Sequence, residues 1–178
     1  MRRFEIDPNA SLMSLEGRST LHLINAETSG LTGWIDIEVL REGAQIRVLA
    51  GTLVIPLGQL SSGNKFYDTE LRRRLDIRRY PTATAELSEW QPTSTPGSYR
   101  VKGVVTVRGT ARVTEGTMRL SVEDDRTVIL NGAHLFDIRD FRIDPPRLLA
   151  VSVKPEVTIS VALVGRLSSP LGLRSQVG

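Results

Sequence analysis

The chain of 178 residues contains no cysteine, which removes disulfides, thiolate nucleophiles and cysteine-based metal sites together. Histidine is scarce, with only His22 and His134, so a nucleophile–base pair would need a Ser or Thr beside one of them. No G-x-S-x-G, Walker A or G-x-G-x-x-G signature occurs, and no catalytic set can be assembled. Aromatic residues make up 5% of the chain, too few for the stacking surfaces of a nucleic-acid binder. Long apolar runs are missing as well. Val151 to Val153 and Val157 to Val164 are short and broken by Thr158 and Ser160, well under the roughly 18 residues of a membrane-spanning helix. The opening MRRFEIDPNASL reaches Glu5 and Asp7 without the apolar core of a secretory signal, so a cytoplasmic protein is expected.

What remains is an ordinary globular composition, 40% hydrophobic and 24% charged, long enough for one well-buried core. The expected organisation is one domain over 1–166 and a loosely held tail over 167–178. Alternation of apolar and polar residues recurs along nearly all of it. Ile35, Ile37 and Val39 alternate with Asp36 and Glu38; Val105 and Val107 with Thr106 and Arg108; Met118, Leu120 and Val122 with Arg119 and Glu123. Turn signals separate these runs, among them Glu42-Gly43, Asp124-Asp125 and Asn131-Gly132. Gly17 reads as a bend and Pro56 as an edge or bulge position. Phe136 to Ile143 reads as one alternating strand whose phase slips at Asp140-Phe141. Small residues at Ala83 and Ala85 suit a tapered or ligand-filled interior. Nine or ten short strands predict an all-β antiparallel barrel or sandwich.

One stretch breaks the pattern. Between Lys65 and Arg79 there are six cations and three anions, an excess equal to the net +3 of the whole chain. Leu71 and Leu75 lie four apart with Tyr67 a turn earlier, which predicts a short amphipathic helix. Asn64 or Asp68 can cap its start, and Tyr80-Pro81 ends it. Two readings stay open. The arginines are a solvated face at the C-terminal end of a lid helix, or Arg72, Arg73, Arg78 and Arg79 meet the anionic head of a ligand at a barrel mouth.

The stretch Gly58 to Leu87, GQLSSGNKFYDTELRRRLDIRRYPTATAEL, resembles the YceI-like family through Ser62-Gly63-Asn64, Asp68, Leu71-Arg72 and Tyr80-Pro81-Thr82. Phe4 to Ser11 is similar to that family's opening Ile-Asp-x-x-x-Ser, Gly103 to Gly109 to its Gly-x-Leu-Thr-x-x-Gly, and Arg139-Asp140-Phe141 to its late Arg-x-x-Phe-Gly. Here Leu75-Asp76-Ile77 stands for the usual Asp-Phe-Phe, and Arg142 for the glycine after Phe141. The resemblance implies an extended lipocalin-like antiparallel barrel that binds a polyisoprenoid, an isoprenoid quinone or a similar lipid, without catalysis and often as a homodimer. If the more apolar face of each strand looks inward, the ligand-binding residues are Leu53, Ile55, Leu71, Leu75, Val105, Val107, Phe136 and Phe141.

The competing reading is a barrel filled by its own side chains that docks an acidic partner or membrane headgroups through the Arg-rich segment. A weaker third, an enzyme acting on a small molecule, would require a polar convergent pocket. No cofactor, nucleic acid or metal is expected. His134, Asp137, Asp140 and Asp144 lie close in sequence, but on a strand His134 and Asp137 point to opposite faces. Trp34 and Trp90 suit either a pocket wall or a barrel rim.

Overall fold

The computed structural model describes residues 1–41, 45–148 and 151–168, with the side chains of 39–41, 45 and 147–148 excepted. The alternating segments form strands β1 (Arg2–Ile6), β2 (Leu12–Ser19), β3 (Leu23–Thr28), β4 (Thr32–Arg41) and β5 (Gln45–Pro56). After helix α1 (Lys65–Leu75) come β6 (Thr82–Pro92), β7 (Ser98–Val107), β8 (Thr110–Asp124) and β9 (Thr127–Asp137). A 3-10 turn (Ile138–Phe141), the two-residue β10 (Arg147–Leu148) and β11 (Val151–Leu167) complete the chain. Every pairing is antiparallel, in the order β1-β4-β5-β6-β7-β8-β9-β11, and β11 pairs β1 again at Phe4↔Leu167. Eight strands thus close into a barrel with no free edge at the ends of the order.

β11 is the longest strand because it serves two partners on one side. Its end pairs β1, and its earlier part pairs β2, with a register shift between Val153 and Val157 opposite Gly17. β3 extends the sheet beyond β2, tied to the β5–α1 connection by a bridge at Glu27↔Ser61 and by the Thr28 hydroxyl donating to the Pro56 carbonyl at 2.8 Å. β4 and β5 approach very closely at Gly33, whose φ is +143° and where a Cβ would fall 2.1 Å from the Thr52 carbonyl oxygen. Only glycine fits there.

Alternation buries one face of each strand. Phe4, Ile37, Val48, Tyr99, Leu120 and Val128 pack together towards the β4–β5, β6–β7 and β8–β9 connections and close that end of the barrel. The opposite end receives α1 and the 3-10 turn. Arg74 Nη1 donates to the Asp144 carbonyl at 2.6 Å, and Arg108 Nη1 to the Arg142 carbonyl at 2.7 Å.

Phe136 to Ile143 is not the single strand expected from the sequence. β9 stops at Asp137, whose carboxylate accepts from the Arg139 N–H at 2.9 Å and starts the 3-10 turn; Arg142 ends it at φ 59°. A short acidic side chain that bonds the backbone two residues on competes with the sheet ladder, and at Asp137 it wins. The phase slip is this turn, and it brings the Phe136 and Phe141 rings to 6.0 Å. Pro56 closes β5 opposite Thr82. The Glu42-Gly43 turn signal and the tail beyond 168 lie outside the described residues, although Leu167 is still paired within β11. Among the described residues no helix is long and apolar enough to cross a membrane.

Candidate ligand cavity

The inner faces of β5 to β9 and β11 do not meet. They enclose a cavity of ≈ 320 Å³ walled almost wholly by apolar side chains. Two features of the sequence keep it open. Ala83 and Ala85 stand inward on β6, and Gly103, Gly116 and Gly132 on β7, β8 and β9 leave space where larger side chains would fill the barrel. Inward apolar residues such as Leu53, Val105, Val107 and Phe136 therefore stay half-accessible, which a filled core would not allow.

Seven of the eight residues expected to face a ligand line this cavity: Leu53, Ile55, Leu75, Val105, Val107, Phe136 and Phe141. Leu71, one turn before Leu75, is the exception. It packs partly buried against the core and does not reach the cavity, because the helix presents its last turn, not its middle, to the barrel mouth.

The lid is built by the residues that carried the family resemblance, and they act structurally. Asn64 caps α1, its Oδ1 accepting from the Phe66 and Tyr67 amides at 3.0 and 3.4 Å. Asp68, 7% exposed, accepts from the Ser62 amide and hydroxyl, both at 2.6 Å, and from the Ser61 hydroxyl at 3.0 Å. These donors, the Ser62 hydroxyl first, hold its carboxyl below the usual carboxylate range. Asp76 ends the helix in the left-handed region, its N–H reaching the Arg72 and Arg73 carbonyls. Tyr80 then lies over the β7–β8 turn at Gly109, where a Cβ would be 2.9 Å from its ring.

The arginines divide. Arg73 is held by Glu70 through two bonds of 3.0 and 2.9 Å, and Glu70 also receives Arg74 at 3.4 Å. Glu70's carboxyl is lowered chiefly by Arg73. Arg72 faces Asp68 electrostatically, and its Nε is buried with no hydrogen-bond partner among the described residues. Arg78 and Arg79 are exposed, the latter 5.3 Å over the Tyr80 ring.

Of the residues that the sequence left between pocket wall and rim or did not assign, Trp90 and His134 lie on the wall. Trp90 stacks at 5.1 Å on Tyr99, and its buried Nε1 has no partner among the described residues. His134 stands edge-on to Phe136 at 4.6 Å, lining the cavity. Its signal was available, since it shares the inward phase of Phe136 two residues on. Trp34 shares the outward phase of Asp36, and the Arg3 guanidinium that pairs with Asp36 covers its ring at 4.0 Å on the outside of the barrel. Among the described residues no cluster of metal-ligating side chains forms.

A hollow eight-stranded barrel with this lid agrees with the comparison to known families, where residues 4–165 match the YceI-like domain. The chain belongs to the YceI-like family. Solved structures carry the same fold at low identity. BcnA of Burkholderia cenocepacia aligns at 19% identity and a TM-score of 0.74, covering 89% of this chain and 98% of that one. A polyisoprenoid-binding domain from Saccharophagus degradans, implicated in plant cell wall breakdown, aligns at 13% identity and 0.75, covering 94% and 100%. The YceI protein of Campylobacter jejuni aligns at 11% and 0.59, covering 77% and 82%. No curated protein matches the chain. These identities are low enough that the YceI-like likeness establishes fold, and the cavity itself must carry the argument about function.

Proposed function

We propose that this protein sequesters or carries a long apolar ligand, a polyisoprenoid, isoprenoid quinone or related lipid, inside its barrel without transforming it. The observation that carries the reading is the unfilled apolar cavity, whose wall side chains remain half-accessible. Exposed apolar surface inside a folded protein is an unspent driving force. Covering several hundred Å² of it contributes on the order of 10 kcal/mol gross at about 25 cal/mol per Å², before ordering costs. The Saccharophagus degradans domain, described as polyisoprenoid-binding, supports the ligand class. The cavity weighs against a barrel filled by its own side chains, and its apolar wall offers no convergent polar set for catalysis.

Leu53, Ile55, Leu75, Val105, Val107, Phe136 and Phe141 are the proposed contacts of the chain, while Leu71 acts through packing of the lid. Of the four headgroup candidates, Arg73 is held by Glu70, so Arg72, Arg78 and Arg79 are the proposed contacts of an anionic head. A cytoplasmic location and a homodimer belong to the same proposal, and light scattering tests the second. Native mass spectrometry with organic extraction of the purified protein should recover a lipid, and a panel of isoprenoids and quinones should bind. Val105→Trp, which fills the cavity, should lower that binding at least tenfold while the protein stays folded. Recovery of no lipid together with no binding from the panel refutes the reading.

A further inference from the structure

The barrel wall has a window. β8 pairs β7 along its whole upper length, from Ser98↔Arg119 to Val107↔Thr110, and β9 pairs β11 from Glu156↔Asp137 to Arg166↔Thr127. Between β8 and β9, however, the ladder runs only from Asp124↔Thr127 to Met118↔Gly132. Beyond that point the Ala111 to Thr117 edge of β8 and the Ala133 to Asp137 edge of β9 face each other without backbone pairing, and the 3-10 turn closes the top. In an antiparallel strand alternate residues direct both N–H and C=O to the same side, so both edges aim several unpaired donors and acceptors into this gap.

The window joins the cavity. Thr114, Glu115, Gly116 and Thr117 of one edge and Ala133 and His134 of the other line it. An outer groove shares Thr117, Gly132, Ala133 and Val161 with the cavity. His134 stands at the inner edge, its Nδ1 3.2 Å from where a Cβ on Gly116 would be, so glycine at 116 is what admits the ring. The imidazole makes no side-chain hydrogen bond among the described residues, and the Phe136 ring stands beside it.

We infer that the β8/β9 window is a polar subsite of the cavity, where His134 and the unpaired strand edges hydrogen-bond an uncharged oxygen, hydroxyl or carbonyl, carried by an otherwise apolar ligand. The inference rests on the carrier reading and names the ligand more narrowly. It places an uncharged oxygen of the ligand at the side of the barrel and leaves an anionic head, where the ligand carries one, to the arginines of the lid. Neutral imidazole donates through one nitrogen and accepts through the other, so it serves either a hydroxyl or a carbonyl. One such bond distinguishes the two kinds of ligand by roughly tenfold, since water at the window partly replaces the oxygen that a hydrocarbon lacks.

The test compares geranylgeraniol with the C20 isoprenoid hydrocarbon that lacks its hydroxyl, each titrated by native mass spectrometry against wild type, His134→Phe and His134→Gln. The alcohol-to-hydrocarbon affinity ratio should fall about tenfold in His134→Phe, with hydrocarbon affinity held or improved, and should be largely restored in His134→Gln. Hydrocarbon binding by His134→Phe serves as its own control for folding. In wild type labelled at histidine, the His134 ring nitrogen resonances should move with the alcohol and not with the hydrocarbon. A ratio unchanged within twofold in His134→Phe, or equal resonance shifts with both probes, overturns the subsite alone. Wild type binding neither probe overturns the subsite, and the carrier reading falls with it where no lipid is recovered and the isoprenoid and quinone panel also fails to bind.

Discussion

Asp68 holds the lid together, and removing its charge should open it. Three donors converge on this buried carboxylate at 2.6, 2.6 and 3.0 Å, all from the two serines before the helix. Hydrogen bonds to a charged group contribute about 1.5–3 kcal/mol each when taken singly, but these three share one carboxylate, two on Oδ1 and one on Oδ2, and the Ser61 hydroxyl can turn to water. Asp68→Asn keeps one acceptor oxygen and turns an amide N–H₂ towards a donor. A loss of about 2–3 kcal/mol follows, which for a domain of this size lowers Tm by roughly 5–10 °C at about 2–4 °C per kcal/mol. Calorimetry at neutral pH measures the shift. Hydrogen exchange locates it: the α1 amides and the Ser62 amide should exchange faster while the β9–β11 ladder is unchanged. A Tm within 1 °C of wild type, with α1 protection intact, would show that the serine contacts do not secure the lid.

The same carboxylates set the acid limb of stability. Asp68, Glu70 and Asp36 are held below their usual range by Ser62, Arg73 and Arg3 respectively, so the unfolded chain takes up protons first as pH falls. Their stabilisation is complete above the ordinary carboxylate range and is lost as pH falls through the depressed folded values. Urea midpoints between neutral pH and pH 3 should decline accordingly, and less steeply in Asp68→Asn. Charge reversal at Arg78 and Arg79 should weaken an isoprenoid diphosphate at low salt and leave an isoprenoid alcohol unaffected; equal affinities for both variants and wild type would assign these cations to solvent. Gly33→Ala should cost more than about 3 kcal/mol or prevent folding, since its Cβ would strike the Thr52 carbonyl at 2.1 Å in a backbone that cannot yield, and soluble expression with a wild-type melt would refute that contact.

Much of this protein was determined locally. Period-two alternation selected the inward face, so Leu53, Ile55, Val105, Val107 and Phe136 reached the cavity wall from sequence alone. The lid was local as well, because Asn64 caps its own helix and Tyr80-Pro81 must end it. Its arginines were legible as charge but not as geometry: Glu70 sits one turn before Arg73 and Arg74, and only the folded helix showed that it occupies both. Leu71 lies off the cavity wall for a similar reason, since helical spacing gives a shared face but not which turn meets the barrel. Tertiary structure decided the rest. Alternation states which face a residue takes and says nothing about where two neighbouring strands stop pairing, so the end of the β8–β9 ladder at Met118↔Gly132 could not be read in advance. Beyond that pair β9 stays paired with β11 and β8 with β7, while β8 and β9 no longer pair with each other. The gap leaves His134 beside Gly116 at an open wall, although the two lie eighteen positions apart in the chain.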